Sequence, residues 1–178
     1  MQKYPSIDSS RVGIWGWSFG GYATTHTLLY PGTVFTTGVA VAPLVSRFNY
    51  DSMHTERFMD LPDNNQDNYD KCSLLYQNIS QMHDKQYTII SGTMDDNVHF
   101  QNAAQISKAL FKENVQFNAM VSLWNKCFIK TVFFKFYGDE AHSIRYGQGN
   151  NRHIYRVITR TFLKYFGLPD DEKDTWNL

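Results

Sequence analysis

The sequence predicts an α/β protein, a three-layer αβα sandwich with a mostly parallel sheet. Two observations predict it: short apolar segments alternate along the chain with segments whose apolar residues recur at helical spacing. Strands that are apolar on both faces are typical of a parallel sheet covered by helices on both sides. With 178 residues, of which 42% are hydrophobic, the chain has the size and composition of one packed domain.

The predicted elements follow one another in a regular order. Residues 11–17 predict a buried strand, and residues 20–30 predict a helix that ends at Pro31 and Gly32. The apolar, β-branched residues 37–42 predict the next strand. Two further strands, each followed by a helix, are predicted at residues 86–91, 101–112, 115–120 and 151–166. The polar residues 44–81 are too many for an ordinary loop and predict a functional loop or a small subdomain.

Charge and cysteine content exclude several functions. Lys plus Arg equals Asp plus Glu at 17 each, so no net field attracts nucleic acid or an anionic membrane. No window is long and apolar enough to span a bilayer. The two cysteines, Cys72 and Cys127, form no cluster with histidine, so we expect neither a metal nor a cofactor.

The pentapeptide GWSFG, residues 16–20, has the pattern G-x-S-x-G between a predicted strand and a predicted helix. This context is typical of a nucleophile elbow, in which a sharp turn lifts the serine above the sheet of an α/β-hydrolase fold. Ser18 is then the candidate nucleophile, and the N–H of Phe19 is a candidate oxyanion donor. The alternative is a glycine-rich turn with a solvated serine.

A serine nucleophile needs a base, and the base needs an orienting acid. In this fold they follow in the order Ser, Asp or Glu, His. Asp95 and Asp96 come directly after the strand at residues 86–91, although two aspartates are also typical of a plain turn. His142 lies in the loop before the last helix, and it fits the place of the base better than the other five histidines do.

Several strings of this sequence resemble the dipeptidyl peptidase IV group of the prolyl oligopeptidase family, at residues 15–22, 50–52, 55–59, 92–101 and 139–144. The resemblance implies a serine exopeptidase that removes N-terminal dipeptides from peptides with proline or alanine in second position. It also implies that the triad acid is Asp95 rather than Asp96, and that no cofactor is used.

The resemblance further implies a substrate pocket. Tyr50 and Val98 match residues that line the proline pocket, and Asn97 matches a residue that hydrogen-bonds a substrate carbonyl. Phe19 and His54 stand where the family usually has pocket tyrosines.

Arg47, in an ungapped reading, stands where the family usually has a tryptophan. A charge there makes the slot less suited to proline, whereas a small local shift in the reading would place Phe48 there instead.

The resemblance covers residues 1–178 as a partial catalytic domain, and it implies that the N-terminal strands and a β-propeller of the family are absent. Residues 121–136 (VSLWNKCFIKTVFFKF) look inserted, because in the family the strand before them runs almost directly into the histidine loop. We interpret this segment as an unspliced intron or a gene-model error, with a genuine hairpin insertion as the alternative.

Other functions and settings stay open at this point. A non-catalytic binding or scaffold homologue, or an inactive fragment, is the main alternative, and an esterase or lipase with the same triad is another. Family members often dimerise through the catalytic domain, which makes the last helix a candidate homodimer surface. The full-length parent is expected to be extracellular or at the plasma membrane, with a cytoplasmic location as the alternative.

Overall fold

The computed structural model describes residues 4–119, 135–137, 140–144 and 150–170. Strands and helices alternate within these ranges as the sequence predicts. The strands are β1 (Gly13–Trp17), β2 (Thr37–Val41), β3 (Gln86–Gly92), β4 (Asn118–Ala119) and β5 (Lys135–Tyr137). The helices are α1 (Phe19–Leu29), α2 (Ser52–Met59), α3 (Pro62–Cys72), α4 (Gln101–Lys112) and α5 (Asn150–Tyr165).

Within the described residues every strand pair is parallel, in the order β1-β2-β3-β4, and β5 also pairs with β3. β1 begins two residues later than expected, because Asp8 holds the preceding residues in a turn. Its carboxylate accepts from the backbone N of Ser10 at 2.9 Å and pairs with the guanidinium of Arg11 at 3.0 Å. The parallel sheet brings the carboxyl ends of its strands to one edge, where sites of α/β proteins lie.

Helices cover both faces of the sheet, which confirms the three-layer αβα sandwich. The side chains of β2 alternate: Ala40 packs with buried residues of α1 and α4, whereas Val39 and Val41 pack with Ile154 and Ile158 of α5. β2 is buried throughout, as its continuous apolar sequence predicts.

The polar segment after β2 forms a small helical unit instead of a loop. α2 and α3 pack against each other, and short 3-10 turns flank them. The carboxylate of Asp51 accepts from the backbone N of His54 at 2.8 Å and so caps α2. The Tyr69 side chain of α3 is buried, and its hydroxyl donates to the carbonyl of Asp60 at 2.8 Å. No helix in the described ranges is both long and apolar enough to cross a membrane.

β4 and β5 occupy one line along the edge of β3. Ala119 pairs with Ile89, and Lys135 pairs with the next residue, Ile90. The two short segments therefore hold consecutive positions of one ladder, although 15 residues separate them in sequence. Of the predicted insertion at residues 121–136, only Lys135 and Phe136 fall in the described ranges, and both pair with β3.

Candidate active site

Ser18 lies at the turn between β1 and α1, as the G-x-S-x-G pattern predicts. Its backbone has φ 60° and ψ −119°, a strained conformation for a residue with a side chain. The turn is held by hydrogen bonds from the N of Ser18 to the carbonyl of Val41 at 2.8 Å and from the N of Tyr22 to the carbonyl of Ser18 at 3.1 Å. Strain at a serine that closes a strand and opens a helix is characteristic of a nucleophile elbow.

The two glycines of the pattern have different environments. A Cβ on Gly16 would lie 2.2 Å from the carbonyl oxygen of Gly20, so no larger residue fits there without moving the backbone. A Cβ on Gly20 itself would meet nothing within 4 Å. The next residue, Gly21, is confined again, because its Cβ would lie 2.9 Å from the Cα of Pro43. Close backbone approach therefore requires Gly16 and Gly21.

Asp95 and His142 are joined directly, with 2.8 Å between Oδ2 of Asp95 and Nδ1 of His142. The other carboxylate oxygen of Asp95 accepts from the backbone N atoms of Asn97 at 3.0 Å and Val98 at 2.8 Å. The Asp95 side chain is fully buried, whereas Asp96 is exposed. Of the two candidate acids, the structure therefore brings Asp95 to the histidine.

The contact with Asp95 determines which nitrogen of the His142 imidazole is free to accept a proton. When Nδ1–H donates to the buried carboxylate, Nε2 keeps its lone pair and can accept a proton from a hydroxyl. About a fifth of the His142 side chain is exposed, so it remains within reach of a bound substrate. The contact between Asp95 and His142 therefore has the geometry in which a carboxylate can orient a general base.

Hydrogen bonds hold the loop that carries His142 to β1 and to the segment that follows β3. Nε1–H of Trp17, the residue before Ser18, donates to the carbonyl of His142 at 3.0 Å. The backbone N of Met94 donates to the carbonyl of Glu140 at 3.3 Å, and the side chain of Ile144 is fully buried. Trp17 was not among the candidate site residues, since nothing in its position before the serine signals a contact 125 residues away.

A cavity of about 370 Å³ opens beside Ser18. Four residues of the predicted site line it together with Ser18, namely Phe19, Tyr50, His54 and Val98. It is also lined by Leu44, Arg47 and Phe58. Leu44 and Phe58 were not predicted, because they are brought here by the loop after β2 and by α2, whose fold the sequence did not reveal. The walls are mainly apolar and aromatic, as in small-ligand pockets, with one guanidinium among them.

A second cavity, of about 760 Å³, lies beside His142 and shares Tyr50 with the first. Asn97 lines this cavity and not the one beside Ser18. The predicted site residues are therefore divided between two adjoining cavities, one on the serine side and one on the histidine side.

Phe19 is the first residue of α1. The first N–H groups of a helix have no carbonyl acceptor one turn earlier, and the helix dipole adds partial positive charge there. The backbone N–H of Phe19 is thus available beside Ser18 for a developing oxyanion. In the described ranges, no group of three or more His, Cys, Asp or Glu side chains is arranged to hold a metal ion.

Known proteins resemble this chain in sequence and in fold. The model of the prolyl oligopeptidase family matches residues 1–168. Dipeptidyl peptidase 4 of Felis catus is 43% identical over 172 residues, which cover 95% of this chain and 20% of that protein. Prolyl endopeptidase FAP of Mus musculus is 40% identical over 166 residues, with 92% and 20% covered.

Among solved structures, the crystal structure of Porphyromonas gingivalis dipeptidyl peptidase 4 superposes with a TM-score of 0.76 at 36% identity. The match covers 90% of this chain and 20% of that chain. The chain therefore spans about a fifth of the length of the relatives that it matches.

Proposed function

Because this chain belongs to the prolyl oligopeptidase family, we propose that it carries serine-peptidase chemistry, with Ser18 as nucleophile, His142 as base and Asp95 as orienting acid. The observation that supports this most is the 2.8 Å contact between a fully buried Asp95 carboxylate and His142, at the same edge of the sheet as the strained Ser18.

The proposed reaction has two steps. In the first, Oγ of Ser18 attacks the substrate carbonyl carbon while Nε2 of His142 takes the hydroxyl proton, and the N–H of Phe19 donates to the oxyanion. The C–N bond then breaks, and His142 gives its proton to the leaving amine. In the second step, water attacks the acyl ester with His142 again as base, which releases the acid and restores Ser18.

For the substrate, we propose peptides from which an N-terminal dipeptide ending in proline or alanine is released. The names of the relatives support dipeptide release, and the apolar walls beside Ser18 support a small apolar residue before the scissile bond. Tyr50 and Val98 would contact that residue, with His54 at the same cavity, and Asn97 would donate to a substrate carbonyl from the neighbouring cavity.

The test is labelling of the purified chain with a fluorophosphonate, which forms a stable adduct with an activated serine. We expect labelling of the unaltered chain, none of Ser18→Ala, and unchanged labelling of Ser10→Ala, which removes an exposed serine from the turn before β1. Equal labelling of Ser18→Ala, or none of any chain, would contradict the proposed chemistry and favour a non-catalytic homologue.

Substrate hydrolysis then separates the two catalytic functions. Cleavage of a glycyl-prolyl amide that depends on Ser18 would support a dipeptidyl peptidase. Cleavage of a simple ester without the amide would support an esterase with the same triad.

A further inference from the structure

We propose that the cavity beside Ser18 accepts an acidic side chain, glutamate or aspartate, on the residue that precedes the scissile bond, with Arg47 as the residue that selects it. This inference rests on the proposed function and extends its substrates beyond proline and alanine.

The first support is the position of Arg47. Its side chain lines the same cavity as Ser18, and its guanidinium carbon lies 5.4 Å from the centroid of the Phe19 ring. Phe19 directly follows the nucleophile in sequence. The positive charge is therefore held over an aromatic wall of the pocket, a favourable arrangement for a guanidinium.

The second support is that this charge has no carboxylate partner among the residues that the structure describes. The ion pairs between described residues are Arg11 with Asp8, His142 with Asp95, and Arg160 with Asp170, so none of them includes Arg47. Arg47 is nevertheless half-buried. A partly desolvated guanidinium without a counterion is stabilised by any anion that reaches it, and a carboxylate matches its fork of N–H donors.

Arg47 also acts electrostatically on two side chains that do not line the cavity. Burial is the main cause that raises the pKa of the Cys72 thiol and of the Tyr22 hydroxyl, and the Arg47 charge acts against that rise in both.

The third support is the shape of the remaining wall. Leu44, Phe58 and Val98 supply apolar surface for the methylene groups of a side chain, while Arg47 supplies the charge that a terminal carboxylate requires. A proline ring fits the apolar walls but offers the guanidinium no acceptor. A buried polar group left without its partner is what discriminates most strongly between substrates of similar size.

The test measures binding in a Ser18→Ala background, so that it does not depend on catalysis. Three fluorescent pentapeptides differ only at the second residue, which is Glu, Gln or Pro, and their affinities are measured by fluorescence anisotropy. We expect the Glu peptide to bind about tenfold more tightly than the Gln peptide, because a charge-assisted pair replaces a neutral contact. Adding Arg47→Met should make the Glu and Gln peptides equal, and Arg47→Lys should keep part of the preference.

Arg57→Met is the matched control. It removes a positive charge from α2, where the Arg57 guanidinium lies 5.7 Å from the centroid of the Phe58 ring, but Arg57 does not line the cavity. We expect this variant to keep the preference for Glu over Gln, which would exclude a general effect of net charge.

The inference would be overturned by equal binding of the Glu and Gln peptides, by a preference that survives Arg47→Met, or by no binding of any peptide. A loss of affinity that is equal for all three peptides in Arg47→Met would also overturn it, since Arg47 would then only support Phe19. Fluorophosphonate labelling of Ser18 tests the peptidase chemistry separately. Labelling without a Glu preference would reject only the specificity, and a Glu preference without labelling would reject only the chemistry.

Discussion

At the scale of single residues, two adjacent aspartates show how burial divides their roles. Asp95 and Asp96 are equivalent in the sequence pattern, yet one carboxylate is buried against His142 and the other is exposed. The backbone N–H groups of Asn97 and Val98 hold one oxygen of Asp95, which leaves the other for the imidazole. The protein's own backbone thereby sets the orientation of the Asp95 carboxylate.

Replacing Asp95 by asparagine should slow labelling of Ser18 by about 10³–10⁴-fold, because an amide in this position stabilises the wrong tautomer of the base. The measurement is the second-order rate of fluorophosphonate labelling. Asp96→Asn is the control, and its rate should be unchanged. A slower rate in Asp96→Asn than in Asp95→Asn would show that the acid has been assigned to the wrong residue.

The residues that line the cavity beside Ser18 were predicted only in part. Phe19, Tyr50, His54 and Val98 line the cavity beside Ser18 as expected, but Asn97 lines the neighbouring one. Contacts such as Trp17 with His142 depend on the tertiary fold, and no spacing within the sequence encodes them.

At the scale of elements, those that bury continuous apolar surface were predicted closely. α4 has the limits that its amphipathic spacing predicts, β3 ends one residue later than predicted, and α5 begins and ends one residue earlier than predicted. α2 and α3 were not predicted as helices, because their polar sequence carries little periodic apolar signal and their stability comes from caps and from a few buried residues such as Tyr69.

The different surroundings of Gly16 and Gly20, in the turn between β1 and α1, predict different effects of alanine on the free energy of unfolding. Gly16→Ala should lower the free energy of unfolding by about 1–3 kcal/mol, because the new methyl group meets the backbone of Gly20. Gly20→Ala should leave the free energy of unfolding unchanged or slightly raised, since its Cβ is unobstructed and alanine favours a helix. Urea unfolding measures both, and equal losses in the two variants would contradict this account.

The pairing of β4 and β5 with consecutive residues of β3 predicts that the segment between them can be removed. Removing residues 120–134 would join Ala119 to Lys135, which already occupy consecutive positions beside Ile89 and Ile90. We expect this shortened chain to fold and to keep the labelling of Ser18, as an insertion within one strand implies.

Removing residues 120–135 instead is the control for that deletion. It shifts the strand by one residue and inverts which face each following side chain occupies, so it should destabilise the chain. If both deletions unfold the chain to the same extent, as measured by circular dichroism and urea unfolding, the segment is not an insertion into a continuous strand.

At the scale of the whole molecule, β1 forms one edge of the described sheet, since β2 is its one partner within the described ranges. Trp15 on this strand is about half exposed and contacts the Tyr155 ring of α5 edge-on, with 6.0 Å between centroids. An edge strand with an exposed aromatic side chain favours association between chains.

Trp15→Lys should therefore reduce concentration-dependent association, because a charge on an edge strand opposes pairing with another chain. Sedimentation velocity over a range of concentrations measures it. The homodimer that the family resemblance predicts would instead appear as one discrete dimer boundary, unchanged by Trp15→Lys, and this outcome would contradict association through β1.

The hydrogen bond from Trp17 to the carbonyl of His142 also provides a spectroscopic signal for the position of the His142 loop. An indole N–H that donates to a carbonyl has a proton resonance displaced from that of a solvated indole, and Trp17→Phe identifies the signal by its loss. Nuclear magnetic resonance can thus follow, without any substrate, whether the loop that carries His142 is packed against β1. Incomplete assembly of the site could then be distinguished from a chemically inert one.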